Sequence, residues 1–193
     1  MELTLSESST PAIATVLVSD LRPYAEISQS VYHTRSAIGP PALFQLMATV
    51  SEWAALAFAT GFVAKLGQMS AEKLVAEVKT HFSSDGKATP LAVALKKVKD
   101  TAGTNSNVMI GIQYPDDFWG TTLSIKGQSL EEIEIEVSVF LASVEVIYEG
   151  LKVEIDAGKA PLGRIKIFVE EQGCSIRVHW MDQSFQNHEI IIR

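Results

Sequence analysis

The stretch WAALAFATGFVA, residues 53–64, decides how the first half of this chain is interpreted. It is the core of an uncharged and mostly apolar segment that runs from Arg35 to Lys65 and is interrupted by one charge, Glu52. Apolar residues cover nearly the whole circumference of a helix drawn through this segment, which is typical of a helix buried on all sides. The pattern therefore predicts one long hydrophobic helix over residues 42–66.

Such a helix is about 35 Å long, at ~1.5 Å per residue, which is enough to cross a membrane. Its strongly apolar side chains favour insertion by roughly 2.4–4.8 kcal/mol, and Glu52 opposes insertion by about 2–3 kcal/mol. Because these contributions nearly cancel, the sequence favours a helix buried in the core or facing a partner. Conditional membrane insertion stays open as an alternative.

Small residues recur on this helix at a spacing that allows another helix to approach closely. Ser51, Ala55 and Ala59 recur every four residues, and Ala57 and Gly61 repeat the same spacing. We expect the row to support self-association, most simply as a dimer. A buried Glu52 would also need a charged or hydrogen-bonded partner, for which Arg22 and Arg35 are the candidates.

The remaining patterns predict an α+β fold with a helical N-terminal half and a sheet in the C-terminal half. The small polar run at 103–107 predicts a boundary between a mainly helical segment, 1–103, and an α+β domain, 107–193, although the two can also pack as one domain. In the first segment we expect a strand over Ala12–Val18, a helix from Leu21 to about Gly39, an amphipathic helix after Gly67 and a short helix that begins at Thr89 and Pro90. In the second we expect strands at 108–114, 118–126, 164–170, 174–181 and 188–192, and a helix at 130–150 that begins with a capping box at Ser129 and Glu132.

Composition and charge argue against several classes of function. The net charge is −7, and the basic residues are scattered except for the cluster Lys96, Lys97 and Lys99, so binding to nucleic acid is not expected. The lone Cys174 cannot form an internal disulfide and lies in an alternating strand pattern, where a small buried side chain is expected. Residues 1–9 do not have the pattern of a secretory leader, so the sequence predicts a cytoplasmic protein.

Candidate chemical sites are few, and each has a simpler structural interpretation. His179 and His188 lie close enough in sequence to meet across a hairpin, but two histidines are not a complete metal site. The carboxylates of the predicted helix at 130–150 are expected mostly to face water: Glu131, Glu132, Glu134, Glu136, Glu145 and Glu149. We therefore predict no catalytic residue, no bound metal and no cofactor.

The loop at Pro115 is the best candidate for recognition outside the hydrophobic helix. It places Asp116 and Asp117 directly before Phe118 and Trp119, and acidic and aromatic side chains at a hairpin tip are typical of contact sites. Turn chemistry explains the same residues equally well, and Trp119 is also suited to enter the core.

The order of elements resembles that of small accessory or effector-associated domains of bacterial conflict (anti-phage) systems. Three stretches carry the resemblance: EWAALAFATGFVAKLGQMSAEKLVAEVK at 52–79, the hairpin VMIGIQY followed by WGTTLSIKG, and the run from Ser129 to Trp180. The resemblance lies in the order of helices and strands rather than in residue identities, and it extends over roughly two-thirds of the chain. It implies a non-enzymatic partner of a conflict-system effector and assigns no catalytic residue.

Two functional hypotheses follow from the sequence. The first is a non-enzymatic interaction or assembly module whose hydrophobic helix mediates self-association, docking of a protein partner or conditional membrane insertion. The second is a small-ligand-binding protein or enzyme whose site is assembled from residues distant in sequence. A deep pocket of converging polar groups would favour the second hypothesis, and an exposed row of small residues would favour the first.

Overall fold

The fold is a single mixed sheet of eight strands with helices packed on it. A computed structural model of the chain describes residues 1–6, 11–32, 43–59, 73, 75–77, 79–80, 88–102, 107–113, 120–170 and 175–192. The strands are β1 (Glu2–Ser6), β2 (Ser28–Tyr32), β3 (Leu43–Ala48), β4 (Asn107–Gln113), β5 (Gly120–Ser124), β6 (Ile165–Glu170), β7 (Ser175–Met181) and β8 (Asn187–Ile192). The helices described from end to end are α1 (Pro11–Leu21), α2 (Val50–Ala59), α3 (Pro90–Ala102) and α4 (Leu130–Asp156), and further helical residues lie at 73, 75–77 and 79–80.

The strands lie in the order β2-β1-β3-β4-β5-β6-β7-β8. Three neighbouring pairs are parallel, namely β1 with β2, β3 with β4, and β5 with β6. Each of these pairs is joined by a helical crossover, as parallel strands require. The other neighbours are antiparallel, including the C-terminal run β6, β7 and β8.

One face of the sheet packs against the helices and forms a single hydrophobic core. Sheet residues of this face occupy paired positions across the strands, including Leu3, Leu46, Ile110, Leu123, Ile167 and Val178. Trp53 from α2 and Phe140 from α4 meet edge to face at 5.3 Å between ring centroids. The Trp53 indole Nε1 also donates to the carbonyl oxygen of Gly111 at 2.7 Å, so this large buried side chain leaves no unsatisfied donor.

The predicted fold class is wrong, because the N-terminal half contributes three strands to the same sheet as the C-terminal half. The predicted hydrophobic helix at 42–66 contains the strand β3, which ends just before Thr49, and the separate helix α2, which begins just after it. Residues 60–66 of that prediction lie outside the described part of the chain. β3 lies between β1 and β4, with Phe44 and Leu46 buried on one face and Met47 on the other. A strand buried on both faces loses the alternation by which a strand is usually recognised.

Two further N-terminal predictions are also wrong. The predicted strand Ala12–Val18 lies within α1, and the helix predicted from Leu21 contains the strand β2 at Ser28–Tyr32. Apart from α4, with 27 residues, the helices that have complete bounds are short. Within the residues that the structure describes, no helix combines the length and the apolar character needed to cross a membrane.

The helix starts predicted from capping signals are confirmed. The Ser129 side chain accepts from the Glu132 amide at 3.1 Å, and Glu132 Oε2 accepts from the Ser129 amide at 3.0 Å, which completes the capping box of α4. Thr89 Oγ1 accepts from the Ala92 amide at 3.2 Å at the start of α3. The five C-terminal strands also lie where they were expected, within a few residues at each end.

Candidate binding groove

Two adjoining depressions lie where β5 ends and α4 begins. The first has a volume of about 580 Å³ and is lined by the first turns of α4, the residues before it, and Lys79. The second has a volume of about 250 Å³ and lies on the sheet, along β4, β5 and β6. Both are lined by Lys126, Glu136 and Val169, so they adjoin at these residues, and we call the two together the groove.

The sheet side of the groove lies on the face opposite to the hydrophobic core. Met109 pairs with Ser124, and Thr122 pairs with Lys166, so these four side chains project from the same face. They alternate with core residues such as Leu123, which project toward the helices. The groove is therefore assembled from strands that are distant in sequence and adjacent only through their pairing.

Positive charge is concentrated on this side of the groove. Lys126, Arg164 and Lys166 line it, and neither Arg164 nor Lys166 forms an ion pair with a described residue. The Lys126 Nζ atom lies 5.6 Å from the centroid of the Phe168 ring, and the Arg177 guanidinium lies 5.3 Å from the same centroid. Arg177 is also paired with Glu170. An aromatic ring is thus flanked by cations on a protein with a net charge of −7.

On the helix side of the groove, two carboxylates of α4 accept hydrogen bonds from the backbone that precedes the helix. Glu132 accepts from the amides of Gln128 and Ser129, and Glu136 accepts from the amides of Lys126 and Gly127 at 3.0 and 3.2 Å. All four backbone donors that precede α4 are therefore satisfied within the chain. The backbone that enters α4 is consequently held in place by side chains of the helix.

The carboxylates and the nearby lysine have shifted pKa values. Burial raises the pKa of Glu136 above its usual range, although the amides of Gly127 and Lys126 and the charge of Lys99 act in the opposite direction. Hydrogen bonds from the Ser129 and Gln128 amides lower the pKa of the exposed Glu132. Burial lowers the pKa of Lys99, whose Nζ donates to the Ile125 carbonyl oxygen at 2.9 Å.

A third carboxylate of α4 lies inside the core, behind the groove. Glu134 is 3% exposed and accepts from the Thr89 amide at 2.7 Å, from Thr89 Oγ1 at 3.0 Å and from Ser138 Oγ at 3.0 Å. It joins α4 to the first turn of α3. The expectation of a water-facing side chain is wrong for Glu134 and for the half-buried Glu136, whereas Glu131, Glu132, Glu145 and Glu149 are exposed.

The predicted row of small residues is only partly described. Ser51 and Ala55 are exposed on α2, and Ala59 is the last residue of that helix. The side chain of Ala59 and all of Gly61 lie outside the described part of the chain. An interface on this row therefore stays a prediction.

Glu52 has partners other than the predicted arginines. Its Oε1 contacts the amine of Met1 at 2.5 Å, and its Oε2 accepts from the amide and the hydroxyl of Thr49 at 2.8 and 3.0 Å. Burial acts to raise the pKa of Glu52, but the hydrogen bonds from Met1 and Thr49 outweigh it, so the pKa is lowered. Arg22 is exposed and does not contact Glu52, and Arg35 lies outside the described residues.

The two histidines of the last hairpin do not meet. His179 is opposite Glu189 and Trp180 is opposite His188, so the two histidines lie on opposite faces of the sheet. His188 Nε2 instead contacts Asp182 Oδ2 at 2.8 Å, and this hydrogen bond, with those from the Gln186 and Ser184 amides, lowers the pKa of Asp182.

The other predicted site residues fall outside the part of the chain that the structure describes. These are Asp116, Asp117 and Trp119 of the predicted recognition loop, together with Cys174. Among the residues that are described, no group of three or more His, Cys, Asp or Glu side chains is placed to hold a metal ion.

Comparison with protein-family models, with curated proteins and with solved structures gives no match. The groove is therefore interpreted from its own chemistry. The sequence contains no local signal for the groove, because Lys126, Lys166 and Phe168 share no motif and come together only through the parallel pairing of β5 with β6.

Proposed function

We propose that the protein is a non-enzymatic interaction module that binds an acidic segment of a partner protein in the groove. The observation that carries the proposal is the grouping of Lys126, Arg164 and Lys166 around Phe168 on a chain of net charge −7. Carboxylates of a partner would pair with the cations, and apolar side chains of the partner would cover the Phe168 ring. Arg and aromatic side chains are also enriched at the energetic centres of protein interfaces.

The shape of the groove favours a peptide segment over a compact ligand. The part on the sheet has a volume of about 250 Å³ and lies along β4, β5 and β6. It adjoins the larger part beside α4 at Lys126, Glu136 and Val169, so the groove has two neighbouring parts. An extended chain fits such a shape, with one side chain in each part.

The charge distribution favours protein over nucleic acid as the partner. The cations Lys126, Arg164 and Lys166 occupy a small area around one part of the groove. Nucleic-acid binding needs a wider basic surface that neutralises many phosphates.

The non-enzymatic part of the proposal is supported by the roles of the carboxylates in the groove. Glu132 and Glu136 accept hydrogen bonds from the backbone that precedes α4, which are structural contacts. Among the described lining residues there is also no histidine or cysteine to act as a base or nucleophile.

The test is a titration of the purified chain with a fluorescent oligoglutamate peptide. We expect saturable binding that weakens as salt is added, and a loss of affinity of about tenfold for Lys166→Glu. Arg22→Glu is the matched control, because it makes the same change of charge at an exposed arginine away from the groove. Equal losses for both variants, or tighter binding of an oligonucleotide than of the peptide, would refute the proposal.

The resemblance to conflict-system accessory domains supports an effector protein as the partner. The corresponding observation is the gene neighbourhood of the chain, in which we expect an effector gene beside this one. A neighbourhood made up only of metabolic genes would remove this part of the proposal.

The second candidate function is a small-ligand-binding protein or an enzyme, and it is supported by Glu136. A half-buried carboxyl with a raised pKa, beside Lys99 and Lys126 in a cleft, is a common arrangement in catalytic sites. Saturable binding of an uncharged small molecule in the groove, abolished by Glu136→Gln and unaffected by salt, would favour this candidate over the first.

A further inference from the structure

The two edges of the sheet differ in composition. β2, at one edge, has the sequence SQSVY, whereas β8, at the other, has the sequence NHEIII. β8 pairs with β7 over six residues without a bulge and pairs with no other strand among those described. Like β2, it contains no proline or lysine, but unlike β2 it ends in three isoleucines. Edge strands of monomeric proteins are usually protected by such residues or by bulges, so β8 has the features of a strand that pairs further.

An apolar stripe on α4 runs beside this edge. Val146 is 52% exposed and Val153 is 66% exposed, and Gly150 lies between them at helical spacing. A Cβ atom on Gly150 would lie 3.3 Å from Cδ1 of Ile190, which places the stripe against β8. We call the stripe and the edge strand together the β8–α4 surface.

We propose that the β8–α4 surface is the interface of a two-fold symmetric dimer of this chain. In this dimer β8 pairs antiparallel with β8 of the second copy and joins the two sheets into one. This inference goes beyond the proposed function, because the groove lies at the other end of α4 and each copy keeps its own groove.

The surface is self-complementary, which is the reason to choose a second copy as its occupant. When two copies of α4 lie antiparallel with their exposed valines toward each other, Val146 of one faces Val153 of the other. Glu149 then lies near Lys152 of the second copy, and neither of these residues forms an ion pair with another described residue. A two-fold axis makes both contacts twice, as an isologous interface requires.

The β8 pairing satisfies the same symmetry. In a register centred on Ile190, Glu189 of one copy lies opposite Ile191 of the other. This register keeps the two glutamates from facing each other, and like charges directly opposite would be destabilising. It also pairs the backbone groups at the exposed edge of both copies.

The test is the mass of the full chain measured by light scattering across the micromolar range. We expect twice the chain mass of 21.0 kDa for the unmodified protein and the monomer mass for Val153→Glu. Val31→Glu is the matched control, because Val31 is 55% exposed on β2, at the opposite edge. This control should remain dimeric, and circular dichroism should show that both variants are folded.

A charge exchange tests the pairing of the helices. Glu149→Lys and Lys152→Glu should each weaken the dimer by about tenfold, since each disrupts two symmetric pairs, and the double exchange should restore it. A monomeric unmodified protein, a mass above the dimer, or a Val153→Glu variant as dimeric as the unmodified protein would overturn the proposal. Dissociation by Ala55→Glu with no effect of Val153→Glu would instead assign the interface to the row on α2.

Discussion

The two ends of α4 have opposite character. At its N-terminal end, the backbone amides of residues 126–129 all donate hydrogen bonds to carboxylates of the helix itself. Gly127 also lies in close contact with the first turn. At its C-terminal end, Val146 and Val153 are exposed beside an edge strand. The difference shows how one helix supports two kinds of surface. A preorganised end holds a binding groove in a fixed geometry, and an end with unburied apolar side chains offers area for association.

The largest expected effect is the loss of the buried carboxylate that fixes the N-terminal end of α4 to α3. Glu134→Ala would leave the Thr89 amide, the Thr89 hydroxyl and the Ser138 hydroxyl without this acceptor. We expect the free energy of unfolding, measured with denaturant, to fall by roughly 3 kcal/mol. The control is Glu145→Ala at an exposed position of the same helix, with a change of at most about 0.5 kcal/mol. Equal effects of the two substitutions would show that Glu134 is not a structural link.

Two glycines allow the two ends of α4 to be compared directly. A Cβ atom on Gly127 would lie 2.8 Å from the backbone nitrogen of Ile133, so the first turn of the helix would have to move. We expect Gly127→Ala to lower the free energy of unfolding by about 2 kcal/mol.

Gly150→Ala has the opposite expected sign. Its Cβ atom would lie 3.3 Å from the end of the Ile190 side chain, which belongs to an edge strand and can adjust. The gain in helix propensity, about 1 kcal/mol, should exceed the cost of this contact and leave a net stabilisation of about 0.5 kcal/mol. The same urea titrations measure both variants, and a destabilised Gly150→Ala would mean that the C-terminal end is as tightly packed as the N-terminal end.

The smallest expected effect concerns how stability depends on pH. Because burial raises the pKa of Glu136, the folded state retains this proton to a higher pH than the unfolded state, whose glutamate pKa is about 4.3. This residue therefore contributes a loss of stability as the pH rises from the unfolded pKa through the folded pKa. The Glu136→Gln variant lacks this titrating group and therefore does not lose this stability. The free energy of unfolding of the variant, minus that of the unmodified protein, should increase as the pH rises through this window.

Unfolding free energies at several pH values across this window measure the effect. Glu131→Gln, at an exposed position near the start of the same helix, controls for the removal of one negative charge. If the stability of Glu136→Gln relative to the unmodified protein decreased with rising pH, the assignment of a raised pKa to Glu136 would be wrong.

Local signals in the sequence were sufficient where the chain makes local contacts. The capping box at Ser129 and Glu132 and the Thr89 cap lie within one helical turn of the residues that they bind, so their residue types predict the helix starts. The alternating strands β6 and β7 were predicted for a similar reason, because one of their faces is apolar and the other polar.

The predictions failed where long-range packing decides the structure. β3 is central in the sheet, so its apolar residues face both sides and resemble those of a buried helix. The burial of Glu134 depends on Thr89, which is 45 residues away in sequence. The groove depends on the parallel pairing of β5 with β6 across α4, and the β8–α4 surface depends on the contact of Gly150 with Ile190. These contacts join residues that are distant in the sequence, so no pattern of neighbouring residues predicts them.

Hydrogen exchange of backbone amides, followed by mass spectrometry, tests most directly whether the two ends of α4 serve two separate binding tasks. We expect that raising the protein concentration slows exchange in β8, residues 187–192, and that adding the oligoglutamate peptide slows exchange at 120–126 and 164–169. Each change should leave the other region unaffected. Slowed exchange in β8 on adding the peptide, together with no change around Lys126 and Lys166, would contradict the account.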